Sequence, residues 1–358
     1  MIDVFKICAV FIGTIIGAGL ASGQEILQFF AVYGYKSFIG IGICCGLYVF
    51  FSIVIVSLCY KHKFKSYNDM ALYVLGDKFG RVTDLFLTFF IFTGNTIMIS
   101  GGGAMLNEFL GLNKAVGIIL MALLSFLVTS LSTKGLIATN LIVVPLSTLM
   151  IVLIGIFTYK YNPDSISNII NVNPIQGKSG FLSSSVLYAS FNLILATGVI
   201  CPLAIEIKSR KKFITGCILG GVILTLLAVC INFALLAYYP SSFNSEIPTL
   251  YISKKFSGVF MLMLTGIIWL EMFSTEISNL YSLGKRMEHS FKISYTTSVL
   301  IIILLSIPVA FVGFSNLIRI LYPPFGAISL IFLIGCLTKT FKKDNRKMII
   351  GDKKASNH

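Results

Sequence analysis

A glycine-rich polar run interrupts the first apolar stretch of the chain, where residues 13–25 read GTIIGAGLASGQE. Backbone that leaves helical geometry inside a membrane must be buried in protein or line a wet cavity, because lipid cannot hydrogen-bond its polar groups. In transporters, broken helices of this kind hold substrate and coupling ion. The alternative is that such small residues only allow helices to pack closely. The predicted substrate-binding positions in this run are Gly17, Ala18, Gly19, Ser22 and Gly23.

A second group of ionisable and hydroxyl side chains lies in the eighth apolar stretch, where Glu271 falls near the midpoint. At 100° per residue, hydroxyl side chains follow it on the same helix face, whereas Glu276 and Asn279 fall to one side. An ionisable group at this depth costs at least about 2.5 kcal/mol, so it is usually functional and faces the interior. The alternative is that the hydroxyl groups bond back to their own helix. The hydroxyl residues on the Glu271 face are Ser274, Thr275, Ser278 and Ser282.

Polar residues inside other apolar stretches complete the candidate site. Glu25 and Arg319 both fall near the outer ends of their stretches and are predicted to form a gate ion pair, the alternative being two unrelated snorkelling charges. Asn95 is predicted to face the cavity, or else to bond a neighbouring helix. The remaining substrate-binding candidates are Tyr188, Ser190 and Asn192.

The composition predicts an integral membrane protein. Of the 358 residues, 56% are hydrophobic and only 12% are charged, and the mean hydropathy is +0.91, so there is too little charge to cover a soluble surface. A crossing helix needs about 20 apolar residues. An all-α protein with about ten membrane helices is therefore expected. The predicted segments are 5–31, 37–59, 82–109, 115–132, 136–158, 181–206, 214–238, 257–283, 294–313 and 316–337.

The basic residues predict the orientation of these helices. With the N-terminus in the cytoplasm, most of the 28 lysines and arginines fall on the inner side, which is a strong topology signal. A multi-pass protein of the cytoplasmic membrane with both termini inside follows, and the net charge of +14 is read as a match to anionic lipid. No nucleic-acid partner is expected, because the basic residues are dispersed over loops and a tail. The outer basic residues would be Lys36, Lys114, Lys160, Lys178, Lys254, Lys255 and Arg319.

Ten crossings divide into two halves of five. Because each half crosses the membrane an odd number of times, the second half must run inverted relative to the first. Inverted repeats with discontinuous first helices are a recurring transporter plan. The single transmembrane domain, 1–358, is therefore predicted to contain repeats at 4–158 and 181–337, followed by a basic cytoplasmic tail at 338–358. By the same reasoning the sixth helix should be broken mid-membrane near Tyr188–Asn192, like the first.

The string GTIIGAGLASGQEI at 13–26, the ten-helix pattern and the basic inner loops resemble the bacterial YkvI-type membrane proteins, a branch of the amino acid-polyamine-organocation superfamily. The resemblance implies a leucine-transporter-like five-plus-five fold and secondary transport of amino acids or related molecules. In sodium-coupled members of that superfamily, carbonyl groups of the broken first helix and hydroxyl groups of the eighth form a cation site. The matching positions here are Ala18, Ser274 and Thr275, with Glu271 beside them.

The favoured function is a secondary active transporter of a small zwitterionic or anionic solute, such as an amino acid, coupled to Na⁺ or H⁺. The serious alternative is a nutrient-sensing receptor on a transporter fold, which would bind its ligand without moving it. An enzyme is not expected, because no predicted span contains a protease-like set of catalytic residues. No cofactor or metal site is expected beyond that coupling Na⁺, and the eight cysteines are interpreted as small buried hydrophobes. The partners are then the bilayer and the solute, and the oligomeric state is left open.

Overall fold

The computed structural model describes residues 2–64, 67–131, 135–172 and 180–341. Within these residues the chain forms fourteen α-helices and two 3-10 helices. The 3-10 helices are Ala31–Lys36 and Ser241–Asn244. The α-helices are α1 (Ile2–Ile15), α2 (Ala18–Ala21), α3 (Gln24–Phe29), α4 (Ser37–His62), α5 (Tyr67–Leu110), α6 (Lys114–Leu131), α7 (Gly135–Tyr161), α8 (Ser165–Asn171), α9 (Phe181–Glu206), α10 (Arg210–Ala237), α11 (Pro248–Ser253), α12 (Gly258–Phe291), α13 (Tyr295–Ala310) and α14 (Phe314–Phe341).

The membrane-spanning helices follow the apolar stretches of the sequence. Seven helices among the described residues are long and apolar enough to cross a membrane, and α6 and α13 are shorter apolar helices. The broken helix α1–α3 occupies the first predicted span. Together these elements account for the ten predicted crossings, so the all-α membrane fold is confirmed. The predicted tail, 338–358, begins inside α14, and its part beyond Phe341 lies outside the described residues.

Local sequence signals set the ends of several helices. Ser209, Ser257 and Ser294 precede α10, α12 and α13, and each side chain accepts a hydrogen bond from a backbone amide in the first turn of its helix. Such caps satisfy donors that have no partner within the helix. In α5, Gly76 adopts φ 78° and divides an initial short helix from the long apolar part.

Helix pairing follows the same pattern in both halves of the chain. α1 packs on α10 and α4 packs on α9; likewise α5 packs on α14 and α7 packs on α12. In a five-plus-five arrangement, the counterpart of α1 is α9, that of α4 is α10, that of α5 is α12 and that of α7 is α14. Exchanging each helix for its counterpart converts the α1–α10 contact into the α9–α4 contact, and the α5–α14 contact into the α12–α7 contact. This is the pattern expected of inverted repeats. The repeat limits at 4–158 and 181–337 stay a prediction.

The prediction that the sixth membrane helix is broken is wrong. This helix, α9, runs without interruption from Phe181 to Glu206. Its polar side chains bond back to the preceding turn: Ser190 Oγ donates to the Val186 carbonyl at 2.7 Å, and Asn192 Nδ2 donates to the Tyr188 carbonyl at 3.1 Å. Because a helix can satisfy such groups internally, they do not require a break.

Candidate functional site

The first membrane helix leaves helical geometry twice. α1 ends at Ile15, and Gly17 is extended, with φ −132° and ψ −178°. After the short α2, Gly23 adopts the left-handed conformation with φ 83°, which favours glycine because it lacks a Cβ. The predicted break is therefore present, and the chain resumes helical geometry at Ala18.

The carbonyl groups at the end of α2 are satisfied by α11. Thr249 Oγ1 donates to the Ala21 carbonyl at 2.8 Å, and the Thr249 amide donates to the Ser22 carbonyl at 3.1 Å. The segment before α11 is fixed in turn by Glu108 of α5, which accepts from Ser245 Oγ at 2.8 Å. The loop that carries α11 thus covers the outer part of the break.

A cavity of about 890 Å³ lies beside the break and extends toward the side of the protein on which α1 begins. At that end, Ala9 of α1 and Ser282 of α12 are exposed, whereas Glu25 and Tyr322 at the opposite end are buried. The lining residues are Ala9, Val10, Gly13, Thr14, Ile15, Ile16, Gly17, Ala18, Gly19, Glu25, Phe90, Gly94, Met98, Val144, Pro145, Phe191, Asn192, Leu195, Thr275, Ser278, Asn279, Ser282 and Tyr322.

Glu25 brings a carboxyl group into the cavity. Among the described residues that line the cavity, Glu25 is acidic and none is basic. The side chain is 4% exposed, and its Oε2 accepts a hydrogen bond from the Tyr188 hydroxyl at 3.1 Å. The carboxyl group lies against Gly19 so closely that a Cβ there would be 2.7 Å from Glu25 Cδ. The break and this carboxyl group therefore belong to one site.

Aromatic rings surround the buried end of the cavity. The Phe191 and Tyr322 rings lie 4.6 Å apart between centroids, and Phe90 lies 5.7 Å from Phe191. Beyond the cavity, the Tyr188 ring packs on Phe29 and Phe30, each at 5.1 Å. These contacts close the site on the side away from the start of α1.

The eighth membrane helix, α12, presents a polar face to the cavity. Thr275, Ser278, Asn279 and Ser282 line it. Glu271 is buried behind this face, where its Oε1 accepts from the Ser147 hydroxyl of α7 and its Oε2 has no hydrogen-bond partner. α12 also packs against α2, the helix that follows the break.

The predicted site residues divide into those that reach the cavity and those that do not. Ser22 and Gly23 lie beyond it, Ser274 is buried in α12, and Tyr188 contributes through its bond to Glu25. Asn95 faces another helix, because its Nδ2 donates to Ser306 Oγ at 3.0 Å. The predicted residues that line the cavity are Gly17, Ala18, Gly19, Glu25, Asn192 and Thr275.

The predicted gate ion pair between Glu25 and Arg319 is not formed. Glu25 is buried and accepts from Tyr188, whereas Arg319 is exposed and donates to Asn316 Oδ1 at 2.8 Å. Arg319 does not line the cavity, whereas Glu25 does.

The aromatic residues around the buried end of the cavity were not among the residues predicted from the sequence. Phe90, Phe191 and Tyr322 come from three separate helices, and the chain contains 30 phenylalanines, so no local pattern distinguishes the cavity rings from the lipid-facing ones. Ser278 and Ser282 were placed on the same helix face as Glu271, and that periodicity was the available signal for the polar face. It was wrong for two residues: Asn279, placed to one side, lines the cavity, and Glu271 does not.

Comparison with known proteins agrees with the fold described above. No protein-family model matches the chain. The chain is 30% identical to the membrane protein YkvI of Bacillus subtilis (strain 168) over 336 residues, which cover 93% of this chain and 95% of YkvI. The solved structure of Mhp1, a nucleobase-cation-symport-1 family transporter, in its inward-facing conformation matches with a TM-score of 0.71 and 13% identity, covering 92% of this chain and 75% of Mhp1. MhsT in complex with L-phenylalanine matches with a TM-score of 0.63 and 12% identity, covering 92% of this chain and 86% of MhsT. The fold is that of the leucine-transporter-like proteins.

Proposed function

This chain belongs to the family of the Bacillus subtilis membrane protein YkvI, and we propose that it is a secondary active transporter of a small ammonium-bearing solute, an amino acid, working by alternating access. The observation that carries the proposal is a cavity beside a broken membrane helix that contains one buried carboxyl group and, among the described lining residues, no basic side chain. Such a site is complementary to a solute with a positive group.

The two ends of an amino acid fit two parts of the site. Its ammonium group pairs with Glu25, and its carboxylate is assigned to the start of the break at Gly17, which lines the cavity and has open space beside it. The rings of Phe191 and Tyr322 supply an apolar surface for the side chain and also favour a cation nearby. This arrangement refines the expectation of a zwitterionic or anionic solute toward a zwitterionic one.

The shape of the cavity supports an inward-facing state. Its exposed end lies on the side where α1 begins, and the distribution of basic residues favours the cytoplasm for that side. The outer side is closed by Tyr188, its neighbouring rings and α11. Transport then requires α11 and the aromatic contacts to separate while the inner end closes.

Coupling to a cation is assigned to the region between α2 and α12. For Na⁺ the ligands are the Ala18 carbonyl, which also accepts from the Ser22 amide at 2.9 Å, and the hydroxyl groups of Ser274 and Thr275. For H⁺ the carrier is Glu271, which is buried and has one oxygen without a partner. The double variant Ser274→Ala, Thr275→Ala in the Discussion tests the Na⁺ assignment.

Two measurements test the function. Thermal-shift screening of the detergent-purified protein against the standard amino acids identifies the ligand, because a ligand that binds only the folded state raises its stability. Uptake of that amino acid into proteoliposomes then separates a transporter from a nutrient-sensing receptor, which would bind it without net movement.

Glu25→Gln supplies the decisive variant, and Glu288→Gln, at an exposed carboxylate paired with Lys285, is its matched control. Removing the charge that pairs with the ammonium group should weaken binding at least about tenfold, since hydrogen bonds to charged groups contribute about 1.5–3 kcal/mol. The control should bind like the wild type. Equal affinity of Glu25→Gln and wild type would contradict the assignment.

A further inference from the structure

Three sulfur atoms converge outside the cavity, where α4, α5 and α9 meet. Cys59 Sγ lies 3.4 Å from Cys201 Sγ. Met70 Sδ lies 4.0 Å from the Cys59 sulfur and 3.7 Å from the Cys201 sulfur. The side chains of Cys59, Met70 and Cys201 are 1%, 0% and 0% exposed, and none of them lines the cavity. This sulfur triad is therefore a separate feature of the buried interior.

The spacing of the triad matches the ligands of a single metal ion. A point equidistant from the three sulfur atoms is about 2.2 Å from each, which is close to the length of about 2.3 Å of a metal–thiolate bond. Side chains that only filled space would serve equally well with carbon in place of sulfur. A ligand set requires the sulfur atoms themselves, so the two roles differ in their response to substitution.

The donor atoms select the kind of ion. Among the described residues, no three histidine, cysteine or acidic side chains are placed to share a metal ion, so the third donor of the triad is the thioether of Met70. Structural Zn²⁺ sites take four thiolate or imidazole ligands. Thiolate and thioether together are soft ligands that favour Cu(I), whereas Na⁺ and Mg²⁺ require oxygen. The chemistry of the triad is thus that of a monovalent copper site.

We propose that Cys59, Met70 and Cys201 bind one Cu(I) ion, which joins the adjacent ends of α4, α5 and α9. A cysteine that ligates the ion does so as a thiolate and releases its proton to the solvent. The copper remains Cu(I), and no electron is transferred. The site is independent of the transport function proposed above and is tested without measuring uptake.

The triad lies near the surface of the protein on the side where α1 begins. The Tyr60 hydroxyl donates to the Ile207 carbonyl, which ties the end of α4 to the end of α9. Just beyond α9, Lys212 pairs with Asp3 of α1 at 2.8 Å. The basic residues favour the cytoplasm for this side. Cytoplasmic thiols are kept reduced, and Cu(I) binding requires reduced thiols.

A short segment of α5 provides access to the buried triad. Met70 lies in the first turn of α5, and Cys59 lies in the last turn of α4. Gly76, with φ 78°, divides the segment 67–75 from the long apolar part of α5. The ion reaches the cysteines when this segment moves, and no membrane-spanning helix has to be displaced. Once bound, the ion holds the segment against α4 and α9.

The first test measures copper binding to the full-length protein in detergent, under anaerobic and reducing conditions. Cu(I) is titrated in competition with bicinchoninate, whose absorbance reports the copper that the protein has not taken. The wild type should take one Cu(I) per chain and should gain thermal stability, because the ion binds the folded state. X-ray absorption at the copper edge should show sulfur neighbours at about 2.2–2.3 Å.

Matched variants separate ligation from packing. Met70→Leu keeps the volume and removes the thioether, and Met150→Leu, at a buried methionine of α7, is its control. Replacing even an outer partner of a metal ligand costs about 10- to 100-fold in affinity, so Met70→Leu should weaken Cu(I) binding at least about tenfold. Cys59→Ala and Cys201→Ala should weaken it further, whereas Cys44→Ala, at a buried cysteine of α4, should bind like the wild type.

Several results would overturn the copper site. They are the absence of Cu(I) uptake by the wild type, wild-type affinity in Met70→Leu or in either triad cysteine variant, and equal losses in variants and controls. A mass lower by two hydrogen atoms that persists in the reduced protein would show a disulfide between Cys59 and Cys201 instead, and would also overturn it. If the cysteine variants fail to fold, the comparison of Met70→Leu with Met150→Leu decides, since a volume-conserving swap is well tolerated.

Discussion

Replacing Gly19 with alanine adds one methyl group where Glu25 lies. The new Cβ would be 2.7 Å from Glu25 Cδ and 2.8 Å from Cγ, and closer still to Oε1. Carbon atoms in contact prefer about 3.5–4.0 Å. The carboxyl group must therefore move by roughly 1 Å, which disrupts its bond with Tyr188 and its position in the cavity.

The expected effect is on binding rather than on folding. Alanine is about 0.5–1 kcal/mol more favourable than glycine within a helix, so the backbone of α2 is not penalised. Loss of a hydrogen bond to a charged group costs about 1.5–3 kcal/mol, or roughly 10- to 100-fold in affinity. Gly42→Ala in α4 is the matched control, because Gly42 is exposed, does not line the cavity, and has nothing within 4 Å of a Cβ.

Calorimetric titration of both variants with the amino acid identified by thermal shift provides the measurement. Gly19→Ala should bind at least tenfold more weakly than Gly42→Ala, with no loss of thermal stability. The reasoning is refuted if Gly19→Ala binds as tightly as wild type, or if both variants lose affinity equally.

Two further predictions concern the cation and the outer loop. Ser274→Ala combined with Thr275→Ala removes two oxygen ligands, so a Na⁺-coupled protein should lose its thermal stabilisation by NaCl relative to choline chloride; retained stabilisation would place the ion elsewhere. Thr249→Val leaves the buried Ala21 carbonyl without its side-chain donor and should cost about 1–3 kcal/mol of stability. Thr265→Val, whose hydroxyl bonds only its own helix, is the control, and equal melting temperatures would contradict the role of Thr249.

The sequence was most informative where a local rule decides the structure. Apolar length identified the crossings, and 181–206 coincides with the observed α9. The break in the first helix was also predictable, because glycine at residues 17, 19 and 23 within an apolar stretch opposes a continuous helix. These features depend on short stretches of chain and on the solvent around them.

Features that depend on how helices face one another were not predictable. Ser190 and Asn192 suggested a break, yet both satisfy their side chains within α9, and only the three-dimensional structure distinguishes the two outcomes. Glu25 and Arg319 have opposite charges at similar depth, but the packing of α14 separates them. The periodicity of the sequence placed Glu276 to one side of the polar face of α12. Its complete burial became visible only in the structure.

In the proposed transport cycle, the contact of Thr249 with the end of α2 makes withdrawal of α11 depend on hydration of backbone oxygens. While α11 stays in place, the carbonyl groups of Ala21 and Ser22 accept from Thr249. A conformation that withdraws α11 must supply water to both oxygens, because backbone acceptors are not left unpaired. The equilibrium between the conformation with α11 in place and the one with α11 withdrawn therefore depends on the water activity of the solution. Osmolytes excluded from protein surfaces, such as sucrose, should favour the conformation with the drier outer side, and the slope of that equilibrium against osmolality measures how many water molecules accompany each opening.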